Sequence, residues 1–215
     1  MRDPRGSRVR SRSRCCERSV NSPAMRIGVY GGTFDPIHIA HIVVATEVRH
    51  VLGLDEVLLV PAGDPWQKRG LVEASKDHRA RMCELATEGL AGVHVSRVEV
   101  EREGASVTAD TLAALSAPDR ELFLVLGADA VANMPTWRGL EETRTLATIA
   151  AVERAGEHAV APGPGWSITH VAVPRLDVAS SAIRERCRAG APIDGLVPAP
   201  VVQFIRDHDL YTPPR

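Results

Sequence analysis

A chain of 215 residues, 44% of them apolar, is long enough to bury the core of one globular domain of ordinary size. No apolar run approaches the roughly 18–20 residues that a membrane-spanning helix needs, which argues against a membrane protein. The formal charge of −1 is unevenly distributed, because residues 1–24 carry seven arginines against two acidic residues and residues 25–215 therefore carry −6. A mildly acidic body argues against general nucleic-acid binding.

The first 24 residues differ in composition from the rest of the chain. They are rich in Arg and Ser, and they lack the apolar segment of a secretory signal. Their bias loosely resembles a transit peptide, and an Arg-rich arm is also compatible with RNA binding. We instead expect a disordered extension, or a chain whose translation begins at Met25, with residues 25–215 forming a single domain.

The four cysteines indicate a reduced, cytoplasmic protein. Cys15 and Cys16 lie in the N-terminal extension, and Cys83 and Cys187 fall singly in helical patterns. No CxxC pair and no Cys/His metal spacing occurs in the sequence.

From Met25 onward, short apolar runs alternate with segments of helical periodicity. The predicted strands are, in chain order, RIGVYG, EVLLVP, VHVSRVEV, ELFLVLG, TLATIAAVE and ITHVAVP. The predicted helices cover residues 37–52, 75–90, 106–116, 180–189 and 199–208. In the first helix, the apolar face is expected to contain Ala40, Val44, Val48 and Val51, and Gly53 is expected to end the helix.

Strands that alternate with helices predict a parallel sheet with helices on both faces, the doubly wound α/β class. In this class, ligands bind at the carboxyl ends of the strands, where the strand order switches. The turn after the first strand is the usual phosphate site, so the residues of that turn are the first candidates for function.

The segment GGTFDPIHIAH, residues 31–41, lies at that turn. Gly31 and Gly32 let the backbone approach a ligand closely. The following helix presents free N–H groups and the positive end of its dipole to an anion. Asp35 is suited to cap or turn the helix entry, and Pro36 removes a donor where none is needed. The segment is neither a P-loop nor a GxGxxG motif.

His38 and His41 sharpen this prediction. Their spacing of three places both rings on one face of the first helical turn. There the helix dipole disfavours imidazolium, so each ring is expected to rest neutral with an N–H to donate, and an arriving polyphosphate would reverse that bias. A zinc site fits less well, because the HExxH spacing and a third ligand are missing from the sequence. A merely structural histidine is the remaining alternative.

GGTFDPIHIAH resembles the GxFxPxHxGH signature of the nucleotidyltransferase superfamily with the HxGH motif, with Ala40 in place of the usual Gly. Five further segments resemble segments of bacterial nicotinate-nucleotide adenylyltransferases and come in the same order. These segments are VPAGDPWQK, SVTADTL, LGADAVANMPTWRGLEE, ASSAIRER and LVPAPVVQFIRDHDLY. The PWQK form resembles the actinobacterial branch. The resemblance covers nearly all of residues 25–211 and implies a Rossmann-like nucleotidyltransferase fold. Departures from the pattern are Val107 for Tyr, Ala179 for Ser, and ERAG for RPG.

The resemblance implies transfer of the adenylyl group of ATP to nicotinate mononucleotide, which yields deamido-NAD and pyrophosphate. The nucleophile is a phosphate oxygen that is already anionic at neutral pH, so the reaction needs no general base. Catalysis then depends on placing two phosphates in line and on stabilising charge as pyrophosphate leaves. Mg²⁺ is expected to bridge phosphate oxygens, held mostly by substrate and water and with no protein ligand.

The resemblance also implies roles for individual residues. The candidate catalytic residues are His38, His41 and Arg184. The candidate ATP-binding residues are Gly31, Gly32, Thr33, Phe34, His38, His41, Asp129, Ser180, Ser181 and Arg184, with Asp129 bonded to a ribose. The candidate substrate-binding residues are Lys68, Thr108, Trp137 and Trp66, with Trp137 stacked on the nicotinate ring.

Ser180, Ser181 and Arg184 combine a helix start, two hydroxyls and a cation one turn later. That combination is a phosphate grip, although ordinary capping by serine is the alternative. Lys68 suits a flexible point charge on phosphate, and the alternative is a solvated loop lysine.

Other functions stay open at this point. One is an adenylyltransferase for nicotinamide mononucleotide or phosphopantetheine, and another is a non-catalytic nucleotide-binding protein with an Arg-rich RNA-binding arm. We expect no nucleic-acid and no membrane partner, and we leave open whether the protein forms a homo-oligomer.

Overall fold

The computed structural model describes residues 23–65, 70–154 and 158–213. Within those residues, six strands form one sheet, and β1 to β6 are Met25–Gly32, Glu56–Pro61, Val93–Val95, Arg120–Gly127, Ala147–Glu153 and Ile168–Ala172. Their spatial order is β3-β2-β1-β4-β5-β6, and every neighbouring pair is parallel. This topology confirms the predicted doubly wound α/β fold.

Helices cover both faces of the sheet. In the described parts of the chain they are α1 (Ile39–Leu52), α2 (Lys76–Thr87), α3 (Val98–Glu101), α4 (Thr108–Leu115), α5 (Ala128–Asn133), α6 (Leu140–Leu146), α7 (Ser180–Arg188) and α8 (Ala199–Asp207), with a 3₁₀ turn at Met134–Thr136. Gly53 ends α1 with φ 59°, as predicted. The Ser75 hydroxyl accepts the backbone N–H of His78 and so caps α2.

Two apolar cores hold these helices to the sheet, one on each face. One core contains Val48 of α1, Met82 of α2 and Ile183 of α7, and the other contains residues of α4 and α5. Each fully buried aliphatic side chain contributes about 1.5–3 kcal/mol relative to exposure. Because side chains alternate along a strand, Ile27 and Val29 of β1 enter the second core. This packing places β1 in the middle of the sheet, with its carboxyl end at the centre of one edge.

The third predicted strand is shorter than expected. VHVSRVEV pairs with β2 only as far as Val95, and Val98–Glu101 forms the single turn α3 instead. The alternation of apolar and polar residues over such a short stretch fits a strand or a helical turn, and pairing with β2 decides between them. TLATIAAVE is likewise a strand only from Ala147, because its first two residues complete α6.

The buried face of α1 also differs from the prediction. Val51 is 51% exposed, whereas Ala45 is fully buried. The apolar stripe runs through Ala45, Val48 and Leu52, which follow one another at spacings of three and four.

The N-terminal extension remains a prediction, because residues 1–22 lie outside the described residues. In the part of the chain that the structure describes, no helix is both long and apolar enough to cross a membrane. Cys83 and Cys187 are free thiols.

Candidate active site

The carboxyl ends of the strands border two adjoining cavities, at the point where the strand order switches between β1 and β4. The first, the histidine cavity, has a volume of about 480 Å³ and is lined by His38, His41, Ser180, Ser181 and Arg184 among others. The second, the tryptophan cavity, has a volume of about 530 Å³ and is lined by Thr108, Asp129 and Trp137 among others. Gly31, Gly32 and Thr33 line both cavities, as do Leu126 and Ala130, so the end of β1 forms part of their shared wall.

Gly31 and Gly32 differ in what surrounds them. A Cβ on Gly31 would meet no described atom within 4 Å, whereas a Cβ on Gly32 would lie 2.8 Å from the Phe34 ring. Phe34 is 2% exposed and has φ 50°, a left-handed conformation that costs about 1–3 kcal/mol for a residue other than Gly. Gly32 therefore makes room for a buried ring, and Gly31 borders the open space of the two cavities.

Gly127 repeats the arrangement at the end of β4. It lines the histidine cavity, and a Cβ on it would also meet nothing described within 4 Å. Two neighbouring strands thus end in glycines that face open space, which suits the close approach of a ligand to the backbone. Sequence analysis did not select Gly127, although it lies in the quoted LGAD segment.

His38 and His41 stack on each other at the start of α1. Their ring centroids are 3.7 Å apart, and the ring planes differ by 22°. The backbone N–H of His38 donates to Nδ1 of His41 at 3.3 Å, so the donor of the His41 ring is Nε2. Among the described residues, nothing hydrogen-bonds Nδ1 of His38, which is buried. A buried polar atom without a partner is uncommon in a folded protein, and this nitrogen is closed off from the cavity.

The His38 ring is neutral at physiological pH. Burial, and secondly the positive charge of Arg154, lower the pKa of His38 to about 4. The sequence predicts a neutral ring here, and burial and the nearby cation both favour that state. Arg154 directly follows β5, and sequence analysis passed over it as part of the ERAG departure.

Arg184 is held in the wall of the histidine cavity by oxygens of two segments. Its Nη1 donates to the backbone carbonyl of Asp35 at 2.8 Å, and its Nε donates to the Glu73 carboxylate at 2.7 Å. The contact of Nη2 with the Leu71 carbonyl is 3.4 Å, which is long for a hydrogen bond. The guanidinium is therefore oriented by the protein itself, and Nη2 is its least engaged nitrogen.

Glu73 links α7 to the segment before α2. It pairs with Arg188 as well as with Arg184. Although burial raises the pKa of Glu73, the hydrogen bonds from Arg188 and Arg184 give a net lowering, so the carboxylate stays charged.

The first turn of α7 faces the same cavity. The Ser180 hydroxyl donates to the Pro36 carbonyl at 2.9 Å and so ties α7 to the segment that follows β1. Ala179 is the N-cap and offers no side-chain cap, which leaves the first N–H groups of this nine-residue helix for another acceptor. Ser181 is exposed in the cavity wall.

Asp35 has a different role from the expected helix cap. It is 2% exposed, and its carboxylate accepts the backbone N–H groups of Glu73 at 2.8 Å and Ala74 at 3.2 Å. It also accepts the Tyr211 hydroxyl at 2.7 Å. Asp35 therefore joins the segment after β1 to two distant parts of the chain.

Arg79 joins the turns after β1 and β2. It is 1% exposed and donates to the carbonyls of Thr33 at 2.7 Å and Ala62 at 2.6 Å. Burial lowers the pKa of Arg79, and the nearby Asp35 charge opposes that effect. Sequence analysis missed both Arg79 and Tyr211.

The tryptophan cavity contains further donors without partners. Thr108 begins α4, Asp129 lies in the first turn of α5, and Trp137 follows the 3₁₀ turn. In the described ranges, neither the Trp137 Nε1 nor the Ser106 Oγ has a hydrogen-bond partner, and both atoms are buried. Glu99 also lines this cavity, and its carboxylate accepts the Thr111 hydroxyl at 2.6 Å.

The predicted ATP-binding residues thus meet in the histidine cavity, except Asp129, which lines the tryptophan cavity. Trp66 and Lys68 lie outside the described residues. Ala40 is buried and lines neither cavity, so its methyl group does not narrow the ligand space. Within residues 23–65, 70–154 and 158–213, no cluster of three His, Cys, Asp or Glu residues could hold a metal ion.

Comparisons with known proteins identify the family of this chain. The cytidylyltransferase-like family matches residues 29–186. A "Probable nicotinate-nucleotide adenylyltransferase" of Corynebacterium kroppenstedtii is 46% identical over 200 residues, which cover 91% of this chain and 94% of that protein. A protein of the same name from Leifsonia xyli subsp. xyli is 45% identical over 86% of this chain and 94% of its own length.

A solved structure shares the fold. It is the Plasmodium falciparum nicotinic acid mononucleotide adenylyltransferase complexed with NaAD, with a TM-score of 0.72 over 86% of this chain and 97% of that chain. At 19% identity this likeness supports the fold alone. The identity to the bacterial proteins, over most of both chains, establishes the family. The chain belongs to the nicotinate-nucleotide adenylyltransferases, within the cytidylyltransferase-like family.

Proposed function

We propose that this protein transfers the adenylyl group of ATP to nicotinate mononucleotide, with the ATP phosphates in the histidine cavity and the pyridine nucleotide in the tryptophan cavity. The observation that carries the proposal is the shared wall. Residues 31–33 line both cavities, and a Cβ at Gly31 would project into open space. Direct transfer requires two phosphates to meet at one point, and this turn is where the two cavities adjoin.

The proposed chemistry is an in-line displacement at phosphorus. A phosphate oxygen of nicotinate mononucleotide bonds to the α-phosphorus of ATP. The bond from that phosphorus to the bridging oxygen breaks, and pyrophosphate leaves with the electron pair. The attacking oxygen is already an anion, so no general base is needed. A histidine with a pKa of about 4 is poorly matched to acid–base work at neutral pH but suits hydrogen-bond donation to phosphate.

In this proposal the positive and donor groups of the histidine cavity stabilise the ATP phosphates. His38, His41 and Arg184 carry most of that stabilisation, and the start of α7 with Ser180 and Ser181 provides a second set of donors. The backbone of residues 31–34 lies along the phosphates. Arg154 adds positive charge, as its effect on the pKa of His38 indicates.

The tryptophan cavity suits the nicotinate end of the acceptor. We propose that Trp137 stacks on the pyridine ring, that Thr108 contacts the nucleotide and that Asp129 bonds a ribose. The bacterial relatives that are named nicotinate-nucleotide adenylyltransferases favour the assignment of nicotinate over nicotinamide as the pyridine base. That Trp66 and Lys68 contact the substrate stays a prediction.

We further propose that Mg²⁺ enters with ATP. The histidine cavity is lined by imidazole, guanidinium and hydroxyl groups. Asp35, the one carboxylate among its described lining residues, already accepts two N–H groups and a hydroxyl. This donor set fits an ion that phosphate oxygens and water coordinate. When bound, the ion neutralises charge that develops on the leaving pyrophosphate.

The decisive experiment compares products side by side. Purified protein is given ATP and Mg²⁺ with either nicotinate or nicotinamide mononucleotide, and deamido-NAD and NAD are quantified under steady-state conditions. We expect a clear preference for nicotinate mononucleotide. Equal or better use of nicotinamide mononucleotide would overturn the substrate assignment, and no product with either would overturn the reaction itself.

A second experiment addresses the Arg-rich extension. Deletion of residues 1–24 is expected to leave turnover unchanged, since every described residue that lines the two cavities follows Met25 in the sequence. A large loss would instead favour a functional arm. The cytoplasmic location that the cysteines indicate stays a prediction, and whether the protein forms a homo-oligomer stays open.

A further inference from the structure

The C-terminal segment reaches the candidate phosphate site through one buried hydrogen bond. Tyr211 lies beyond α8, is 6% exposed, and donates its hydroxyl to Oδ1 of Asp35 at 2.7 Å, across 176 positions of sequence. Asp35 lines the histidine cavity and is three residues before His38. The bond therefore connects the segment after the last helix to the segment that carries the histidines.

The backbone around Tyr211 is wound to make this contact. Asp209 and Tyr211 have φ values of 49° and 62°, a left-handed conformation that is unfavourable for residues other than Gly. Burial, and secondly the charge of Asp35, raise the pKa of Tyr211, so the hydroxyl keeps its proton and remains a donor. Tertiary structure holds this side chain in place against the local preference of the backbone.

Asp35 transmits the constraint to groups that face the ATP phosphates. Its backbone carbonyl accepts Nη1 of Arg184 at 2.8 Å, and its carboxylate Oδ2 lies 3.9 Å from the same nitrogen. The carbonyl of the next residue, Pro36, accepts the Ser180 hydroxyl. This contact is a long ion pair, and a shift of the Asp35 carboxylate toward Arg184 would shorten the pair and compete with phosphate for the guanidinium.

We propose that Tyr211 is a positioning residue for ATP. Its hydroxyl makes the shorter of two hydrogen bonds to Oδ1 of Asp35, since the Ala74 N–H lies at 3.2 Å, and so helps to keep the carboxylate from drawing Arg184 out of the wall of the histidine cavity. This inference rests on the proposed function. Asp35 lines the histidine cavity but not the tryptophan cavity. Loss of the Tyr211 hydroxyl should therefore weaken the binding of ATP and leave the binding of the mononucleotide unchanged.

The test is Tyr211→Phe, which keeps the buried ring and removes only the donor. We expect the KM for ATP to rise on the order of tenfold, since the less restrained Asp35 carboxylate then competes with phosphate for a charge-assisted hydrogen bond from Arg184. The KM for nicotinate mononucleotide should stay within about twofold, because the bond does not reach its cavity. The Kd of ATP with Mg²⁺, measured by calorimetry, should rise in parallel and needs no turnover.

Thr87→Val is the matched control. Thr87 is 8% exposed, its hydroxyl donates to the Cys83 carbonyl at 3.0 Å, and it lines neither cavity. It loses one buried hydroxyl just as Tyr211→Phe does. Its melting temperature should fall while both KM values stay unchanged.

A double-mutant cycle with Asp35→Asn tests the route of the effect. If Tyr211 acts through Asp35, adding Tyr211→Phe to Asp35→Asn raises the KM for ATP by much less than tenfold. If Tyr211→Phe does not fold, Asp35→Asn alone is the test. It must then weaken the binding of ATP without weakening the binding of the mononucleotide. A fall in kcat with both KM values unchanged, or full additivity in the cycle, would overturn the inference. Failure of the wild-type protein to form deamido-NAD would refute the proposed function. The calorimetric Kd of ATP would still decide whether Tyr211 positions the ATP site.

Discussion

Gly31→Ala adds a single methyl group at the wall between the two cavities. Because a Cβ there meets nothing described within 4 Å and Gly31 is not among the residues with positive φ, the folded chain can accept it without strain. The free energy of unfolding should stay level or rise by about 0.4–1 kcal/mol, since Ala restricts the unfolded chain more than Gly. The methyl would occupy space that we assign to reacting phosphates. A displacement of about 1 Å there is enough to lower kcat/KM about 100-fold.

Gly32→Ala is the paired variant with the opposite expectation for stability. Its Cβ would lie 2.8 Å from the Phe34 ring, so the buried ring must move, at a cost of about 1–3 kcal/mol. Denaturant unfolding and pyrophosphate-release kinetics on both variants would separate the two effects. If Gly31→Ala keeps kcat/KM within about threefold of wild type, the open space at Gly31 is not where the substrates meet.

Four further predictions concern His38 and Ala40 at the start of α1. His38→Ala should lower kcat/KM by about 10²–10³, since it removes a preorganised donor, and a loss under about threefold would refute that role. Because the pKa of His38 in the fold, about 4, lies below its ordinary value of 6.5, its neutral ring stabilises the protein fully above pH 6.5, and that stabilisation is lost as the pH falls toward 4. His38→Gln should therefore make the free energy of unfolding less dependent on pH over that range. In Arg154→Gln, an NMR titration should show that the pKa of His38 rises only part of the way to 6.5, because the ring is still buried. An unchanged pKa of His38 would contradict the effect assigned to the Arg154 charge. Ala40→Gly should lower stability by about 0.5–1 kcal/mol and leave kcat/KM unchanged, and a change in kcat/KM would show that Ala40 does affect the site.

Local sequence signals predicted most strands because each one is an apolar run between turn residues. The same signals failed at VHVSRVEV, where the end of pairing with β2, not the residue pattern, ends the strand at Val95. They also misplaced Val51, since helical periodicity alone tolerates more than one choice of buried stripe. Length and pairing are tertiary properties, and a local pattern reports them only indirectly.

The candidate site was predictable where its groups share a short segment. Residues 31–41 carry two glycines and two histidines together, and the structure keeps them together. Arg79 and Tyr211 were not predictable, because their partners Thr33 and Asp35 lie 46 and 176 positions away. Nothing in the sequence around a helical arginine or a terminal tyrosine distinguishes it from an ordinary surface or core residue.

The direction of β1 has a practical consequence for binding experiments. The strand runs eight residues from Met25 to Gly32, so at about 3.3 Å per residue its start lies about 25 Å from the cavities. Tyr211, in contrast, is hydrogen-bonded to a residue of the cavity wall. An affinity tag or sensor-chip linkage placed before Met25 would leave the cavities accessible to ligands. A fusion after Tyr211 would instead strain the hydrogen bond between Tyr211 and Asp35. Biosensor measurements of ATP affinity should therefore anchor this protein on the N-terminal side.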